Sequence, residues 1–366
     1  MARPPGFHDP KFPRHVCRLR RAIYGLRQAP PAWYDALSSF LLCCGFVNTH
    51  SDASLFVYRR DGVLAYFLMY VDDLLLTGNN SSFLTSFRKQ LAAQFSLKHL
   101  GYVNYFLGIE IIPTTHGYLL SQHKYVVDLL TRFQMHDAKS SSTPLASTAR
   151  LSVSNGSKPA DATLYHQAIG ALQYLVTTRP DVAFLVNRLS QFMHAPTTVH
   201  WQHVNRLLRY VAGTHTLSLR ISRHCSPLQL RVFSDSDWAG DPDDRTSTSD
   251  FLVYLGDTLI SWKSKKQRTV ARSNTEAEYR ALALVTSEVQ CVRNLLSELR
   301  QPLSSGSTLY CDNLGAVHFS SNPVFHSCMK HLALDYHFVR QLVQTKQLVV
   351  RHLPTASQLA DILTKP

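Results

Sequence analysis

The sequence lacks a disulfide framework, because its seven cysteines are odd in number and lie scattered along the chain. No CxxC pair occurs, and the group His326, Cys328, His331 and His337 has no second paired arm at zinc-ligand spacing. Cysteines that are scattered and not grouped in pairs are typical of proteins in a reducing compartment. We therefore expect neither a disulfide-stabilised secreted fold nor a structural zinc site.

Long apolar runs are missing as well. The first ten residues, MARPPGFHDP, contain no apolar core of a signal peptide, so we expect a chain that is not secreted. The longest apolar run, residues 63–71, is about half the length of a membrane span and is followed by two aspartates. Its length excludes a membrane span, and we expect a cytoplasmic or nuclear protein.

Acidic residues are too few to balance the basic ones, since 38 Lys and Arg against 25 Asp and Glu give a formal net charge of +13. A surface of this sign attracts polyanions, so nucleic acid is the first partner to consider and an anionic membrane surface the second. Apolar residues make up 45% of the 366 residues, which indicates globular domains rather than disorder. The length suffices for two or three of them.

Composition divides the chain into three parts. Residues 139–163 are rich in Ser, Thr and Pro without apolar periodicity, which predicts a linker or surface loop. A helical block follows over residues 164–214. Beyond a second breaker at residues 222–228, the pattern predicts three strands, a long helix, a strand, short helices, a strand and a final helix. We expect domains at 1–140, 141–228 and 229–366, the last of the α/β class.

An adjacent carboxylate pair, Asp72 and Asp73, lies between two apolar, strand-like runs. Two neighbouring anions repel each other, and a divalent cation removes that cost. Magnesium suits hard oxygen ligands together with phosphate. The alternative is a polar hairpin turn, because Asp favours turns.

Four further carboxylates follow the pattern of the last domain. Asp235 and Asp312 each end a predicted strand, Glu278 lies near the start of the long helix, and Asp361 opens the final helix. Such ends can meet at one edge of an α/β sheet. Four carboxylates there would bind two magnesium ions, one activating water and the other stabilising the leaving oxygen of a phosphodiester.

Each of these acids also has a simpler interpretation. Asp235 could be one of several solvated acids. Glu278 could be the capping-box partner of Thr275 at the start of the helix. Asp312 could start a turn, and Asp361 could be a first-turn acid favoured by the helix dipole.

Two basic segments are candidates for nucleic-acid contact. Residues 11–27 carry no acidic side chain and are followed by Trp33 and Tyr34, so basic groups would follow phosphates while aromatic rings stack. The alternative is a solvated basic helix face. A second tract lies before the helix that carries Glu278 and would contact the phosphates of a nucleic acid. The basic residues of the two segments are Lys11, Arg14, Arg18, Arg20, Arg21, Arg27, Lys263, Lys265, Lys266, Arg268 and Arg272.

Several longer motifs resemble one family over essentially the whole chain. YVDD at 70–73 resembles the catalytic turn of reverse transcriptases, and CRLRRAIYGLRQAPPAWY at 17–34 resembles the palm of copia-type retrotransposon Pol polyproteins. YFLGIEI at 105–111 and QAIGALQYLVTTRPDVAFLVNRLSQFMHAPT at 167–197 are similar to later segments of the same family. The resemblance implies a partial reverse-transcriptase palm and thumb, a helical connection and a ribonuclease H-like α/β domain, in α/β and α+β architecture.

The resemblance also implies roles for single residues. Asp72 and Asp73 would be magnesium ligands of the palm, and Gln28, with Arg27 and Tyr70, would contact the nucleotide or template. The order Asp235, Glu278, Asp312 and Asp361 matches the metal site of ribonuclease H. His352 would assist proton transfer or product release, although a lone histidine at a strand end is often structural.

The resemblance leads us to expect magnesium-dependent hydrolysis of RNA in RNA–DNA hybrids, with template-primer nucleic acid as a further partner and no membrane. Polymerisation is not expected, because the family's first palm aspartate lies upstream of the PPGF segment, here residues 4–7. Asp250 stands where the family has a glycine. The alternatives are a non-catalytic nucleic-acid-binding remnant, and a fragment of a longer polyprotein to which polymerase activity belongs.

Overall fold

The computed structural model forms two compact units, Met1–Gly101 and Tyr102–Pro366. Some residues named in the sequence analysis lie outside the described residues, namely Arg20, Arg21, His326, Cys328 and His331. The division at residues 140 and 228 stays a prediction. The structure describes residues 6–7, 10–12, 14–16, 18, 25–135, 137–146, 150–153, 156–223, 228–321 and 332–364.

The first unit is an antiparallel sheet with helices. Its elements are α1 (Ala29–Cys43), β1 (Phe46–Asn48), β2 (Leu55–Arg60), β3 (Val63–Tyr70), β4 (Asp73–Gly78) and α2 (Ser81–Gln94). The strands pair in chain order, and prolines in the first turn of α1 fit a position where no backbone N–H is needed. Leu37 and Leu41 of α1 and Phe87 of α2 bury their side chains with Phe56 and Phe67 of the sheet.

The second unit begins with a small sheet and a helical block. Its first elements are β5 (Tyr105–Phe106), β6 (Ile109–Thr114), β7 (Gly117–Ser121), α3 (His123–Arg132), α4 (Ala162–Leu175), α5 (Ala183–Ser190), α6 (Thr198–Gly213) and β8 (Leu219–Ser222). The strand β8 returns to pair antiparallel with β7. Helices α3 to α6 share one apolar core, and Leu145 and Leu151 are buried in it. The prediction of a surface linker at 139–163 is therefore wrong at these two positions, since their apolar side chains pack against the helices.

The remainder of the second unit is a five-stranded mixed sheet with helices. Its elements are β9 (Leu230–Asp237), β10 (Thr248–Leu255), β11 (Thr258–Lys266), α7 (Asn274–Glu298), β12 (Ser307–Cys311), α8 (Leu314–Ser321), α9 (Ala333–Gln344) and β13 (Leu348–His352). The strand order is β11-β10-β9-β12-β13, with β9 antiparallel to β10 and parallel to β12. This mixture of helices and sheets confirms the predicted fold class, α/β and α+β.

The two faces of this sheet are covered differently. Tyr279 and Leu282 of α7 pack with Val232 and Phe251 on one face. On the other face, Leu363 packs with Phe233 and Leu252. The predicted final helix is a short 3-10 helix, Leu359–Leu363, with Asp361 inside it rather than at its start. Within the described chain, no helix combines the length and apolarity needed to cross a bilayer.

Candidate metal centre

Four elements of the five-stranded domain bring their carboxylates into one cluster. Asp235 lies on β9, Glu278 on α7, Asp312 directly after β12 and Asp361 in the last 3-10 helix. The charge of Asp235 interacts with Asp361 and Asp312, and the charge of Glu278 interacts with Asp235 and Asp312. Ligand atoms of Glu278 and Asp312 lie within 4.8 Å of each other. The structure thus brings together the four acids selected from the sequence.

Neighbouring donors hold three of these carboxylates in place. The backbone N–H of Ser236 donates to Oε1 of Glu278 at 3.3 Å. The Thr364 hydroxyl donates to Oδ2 of Asp235 at 2.6 Å, and the Thr355 hydroxyl donates to Oδ2 of Asp312 at 2.8 Å. Hydrogen bonds of this kind fix the orientation of ligand groups. Sequence reasoning missed both threonines, since neither lies beside its carboxylate along the chain.

Burial and mutual repulsion shift the pKa values of the two innermost acids. Asp235 is 4% exposed, and burial raises its pKa to about 6, with Thr364 opposing and Asp361 and Asp312 reinforcing the shift. Burial raises the pKa of Glu278 to about 9, and the charges of Asp235 and Asp312 add to the effect. A divalent cation bound among these oxygens would relieve the repulsion, and a hard donor set of this kind fits magnesium.

Two of the simpler interpretations are wrong. Glu278 does not cap α7, because Ser273 is the cap, accepting from the N–H of Glu276, and the Glu276 carboxylate accepts from Arg272 N at 3.0 Å. The side chain of Glu278 instead reaches β9. Asp235 is buried and is therefore not a solvated acid.

His352 ends β13 beside the cluster. It pairs in register with Cys311 on β12, and its Nε2 lies 3.2 Å from the backbone oxygen of Asp312. The imidazole is exposed. Its position is compatible with contact to a bound substrate, and its role stays a prediction.

The basic tract on β11 and directly after it contains exposed and paired side chains. Lys263, Lys265 and Arg268 are exposed. Lys266 is held by two acids, with its Nζ 2.6 Å from Asp241 and 2.7 Å from Asp244. The charge of Lys266 is therefore already compensated within the protein, and phosphate contact by the other three side chains stays a prediction.

The first unit places the other candidate acids on a tight hairpin. Tyr70 ends β3 and pairs with Asp73, the first residue of β4, and all of Tyr70, Asp72 and Asp73 are exposed. Val71 has a φ of 53°, a backbone region that β-branched residues rarely adopt. The indole Nε1 of Trp33 on α1 donates to the Val71 carbonyl oxygen at 2.5 Å. Metal-turn and polar-hairpin interpretations both fit this geometry.

The remaining candidates of the first unit lie on its surface. Arg18 and Arg27 are exposed, and Gln28 is the exposed residue before α1, where its side chain makes no cap hydrogen bond. Arg20 and Arg21 lie outside the described residues.

Two buried residues near the cluster were not selected from the sequence as site residues. Cys311, next to Asp312, places its sulfur 3.7 Å from Oε2 of Glu278. Asp250 on β10 is paired in register with Asp235. The adjacency of Cys311 to a predicted ligand was the available signal for the thiol, and the unusual acid in an apolar strand was the signal for Asp250.

Comparisons with known proteins show the family to which the chain belongs. Residues 1–147 match the family model "Reverse transcriptase (RNA-dependent DNA polymerase)". Over 366 residues the chain is 51% identical to the retrovirus-related Pol polyprotein from transposon RE2 of Arabidopsis thaliana, covering 100% of this chain and 25% of that protein. It is 30% identical over 282 residues to the putative transposon Ty5-1 protein YCL074W of Saccharomyces cerevisiae, covering 76% of this chain and 91% of that protein.

A solved structure of the foamy viral protease-reverse transcriptase in complex with RNA/DNA hybrid is also similar, at 14% identity and a TM-score of 0.48, over 94% of this chain and 40% of that chain. The family model and the sequence relatives define a chain with nucleic-acid enzyme ancestry, of the reverse transcriptase class. More narrowly, it belongs to the copia-type retrotransposon Pol polyprotein family, as its motifs predicted. The chain spans about a quarter of the length of the RE2 polyprotein.

Proposed function

We propose that this chain hydrolyses the RNA strand of RNA–DNA hybrids in a magnesium-dependent reaction. The observation that carries the proposal is the meeting of Asp235, Glu278, Asp312 and Asp361 in one electrostatically interacting cluster. Buried carboxylates that repel one another are unfavourable unless a cation binds among them. Hydrolysis of a phosphodiester is the chemistry that such a site supports.

Residues in and around the cluster would bind the metal, orient the carboxylates and exchange a proton. Magnesium, when bound by the four carboxylates, would supply an activated water and stabilise the leaving 3′ oxygen. Thr364, Thr355 and the Ser236 N–H hold the carboxylates in fixed orientations. The exposed His352 lies where a proton can be exchanged near Asp312.

The basic side chains on β11 and directly after it would hold the hybrid substrate. The three exposed cations Lys263, Lys265 and Arg268 provide contacts to the phosphate backbone, which position a nucleic acid without reading its sequence. The net charge of +13 supports the same partner, and template-primer nucleic acid is proposed as a second one. We place this activity in the cytoplasm or nucleus.

Polymerisation is not proposed for these 366 residues acting alone. A two-metal polymerase site needs a carboxylate on a strand beside the Asp72–Asp73 turn. Among the four described strands of the first unit's sheet, acidic residues occur on β4 alone, at Asp73. The polymerase activity is assigned to the longer polyprotein.

The direct test is cleavage of a labelled RNA–DNA hybrid by the purified chain, with magnesium and with excess chelator. We expect cleavage with magnesium and none with excess chelator. Asp235→Asn should lower the cleavage rate by about 100-fold or more, because the cluster loses a charged ligand. Asp257→Asn serves as the matched control, since Asp257 is an exposed acid in a turn of the same sheet. Activity of Asp235→Asn equal to that of the control would overturn the proposal.

A non-catalytic nucleic-acid-binding remnant is the second candidate, and Asp250 favours it. This buried acid lies in register with Asp235, beside the proposed ligands, at the position where the resemblance implies a glycine. Hybrid binding without magnesium-dependent cleavage in the same assay would support this candidate over the nuclease.

A further inference from the structure

A buried thiol lies among the oxygen ligands of the carboxylate cluster. Cys311 is 0% exposed, and its Sγ lies 3.7 Å from Oε2 of Glu278. Ligand atoms of Glu278, Cys311 and Asp312 all lie within 4.8 Å of one another. The backbone N–H of Asn313 also donates to the sulfur, at 3.4 Å. A soft sulfur donor is thus part of an otherwise hard donor set.

The spacing of these donors suits a tetrahedral soft cation. Zinc binds sulfur at about 2.3 Å and oxygen at about 2.1 Å, which places the two ligands roughly 3.6 Å apart. The separation of 3.7 Å between Cys311 Sγ and Glu278 Oε2 needs almost no adjustment to meet this value. Magnesium gains nothing from a thiolate, because it prefers oxygen, whereas zinc and cadmium bind thiolates strongly.

We propose that Glu278, Cys311 and Asp312 form a binding site for a thiophilic divalent cation, zinc or cadmium, and that this cation inhibits the nuclease by competing with magnesium. On binding, the thiol proton leaves to solvent and a sulfur lone pair forms the bond to the metal. The ion shares Glu278 and Asp312 with the magnesium site, so both cations cannot be held there together. The inhibition rests on the proposed nuclease function, while the binding does not.

Binding is tested with cadmium, whose thiolate complexes absorb in the ultraviolet. The full chain is titrated with cadmium, following absorbance and heat, for wild type, Cys311→Ser, Cys311→Ala and the control Cys291→Ser, which removes an exposed thiol from α7. We expect Cys291→Ser to keep the tight site of the wild type. Both Cys311 variants should lose its thiolate band and bind cadmium at least about tenfold more weakly, since removal of even an outer-shell partner costs that much.

A second variant keeps the test decisive if the Cys311 variants fail to fold. Glu278→Gln retains the thiol but loses a charged ligand, so its cadmium affinity should also fall by about tenfold or more. Unchanged affinity in the folded Cys311 variants, or in Glu278→Gln where they do not fold, would overturn the assignment.

Inhibition is tested by adding zinc to the magnesium-dependent hybrid cleavage assay. Relative to each variant's own uninhibited rate, Cys311→Ser should need at least about tenfold more zinc than wild type or Cys291→Ser for the same inhibition. Equal sensitivity would refute the competition. If wild type cleaves no hybrid, the nuclease proposal fails, while the cadmium titration still decides the metal site.

Discussion

The carboxyl group of Asp250 is fully buried in the central part of a sheet. Neither oxygen accepts a hydrogen bond of ordinary geometry, although the Ser264 hydroxyl lies near enough to lower the pKa in part. Burial, reinforced by Asp237, Asp235 and Glu278, raises the pKa of Asp250 well above its usual value. An acid in this state opposes folding whenever the unfolded chain prefers to ionise it.

Replacing Asp250 by Ala is therefore expected to stabilise the second unit by about 1–3 kcal/mol at neutral pH. The folded-state pKa lies above the unfolded one, so the destabilisation by Asp250 is absent below about pH 4 and grows as pH rises toward the folded-state pKa. Urea unfolding of wild type and variant across this range measures the difference. Asp257→Ala, at an exposed turn, is the control, and a gain of equal size at acidic and neutral pH would contradict the explanation.

Glu278 and Asp235 give a second prediction for single residues. Their pKa values, about 9 and about 6, mean that the metal-free cluster retains protons near neutral pH. A divalent cation needs the ionised forms, so binding should release protons and its affinity should increase as pH rises from about 6 to about 9. Calorimetry of magnesium binding in two buffers of different ionisation enthalpy measures the release. Identical heats in both buffers would show that the carboxylates are already ionised.

Contact between a helix and a hairpin holds the Asp72–Asp73 turn of the first unit. Trp33 of α1 donates to the carbonyl oxygen of Val71, whose backbone is in the left-handed region. Trp33→Phe keeps an aromatic ring but removes the donor, and we expect a loss of about 1 kcal/mol in the stability of this unit. In a double-mutant cycle, Val71→Gly should relieve strain and stabilise the Trp33→Phe background by about 1 kcal/mol. No change in either variant would mean that the turn is held by other contacts.

The elements differ in how far the sequence predicts them. The strands β9 to β11 and the helix α7 follow from local patterns, because apolar periodicity and capping residues are local signals. Asp312 lies directly after its strand, whereas Asp235 lies inside β9, which continues to Asp237 instead of ending at the predicted position. The pairing of β7 with β8 and the burial of Leu145 and Leu151 depend on contacts distant in sequence. The same holds for Thr355 and Thr364, whose acceptors lie on other elements. Local reasoning thus selected the four carboxylates that meet in the cluster but not the residues that orient them.

Within the second unit, a buried ion pair connects the helical block with the five-stranded sheet. Arg188 of α5 lies 2.7 Å from Asp241 in the loop after β9, and Lys266 of β11 shares the same carboxylate. In the same loop, the Asp243 carboxylate accepts from the Val153 N–H at 2.9 Å and from the Ser152 hydroxyl. These contacts tie the segment around Leu151 to the domain that carries the carboxylate cluster.

Asp241→Asn should destabilise the second unit by about 3–5 kcal/mol, because Arg188 would remain buried without a charged partner. Burial opposes ionisation of Asp241, but Lys266, the Asp243 N–H and Arg188 outweigh it and lower the pKa to about 2. With the folded-state pKa below the unfolded one, this stability is present above about pH 4 and is lost as pH falls toward 2. Denaturant unfolding between pH 2 and 7 should show a shallower acid limb in the variant, with Asp257→Asn as the control. If the variant lost stability as steeply as wild type at acidic pH, groups other than Asp241 would cause the acid sensitivity.

The positive charge of the whole molecule predicts how hybrid binding depends on salt. Each phosphate contact releases counterions and contributes about 0.9 to the slope of log affinity against log salt concentration. Lys263 and Lys265 are exposed, so replacing both by Gln should reduce the slope by about 1.8. Lys266 is a matched control on the same strand, because Asp241 and Asp244 already compensate its charge and its replacement should leave the slope unchanged. Binding of a labelled hybrid to wild type and variants over a series of salt concentrations measures these slopes. If Lys266→Gln reduced the slope as much as replacing Lys263 alone, the hybrid would have to displace the two aspartates, and the division of the tract into exposed and compensated lysines would be wrong.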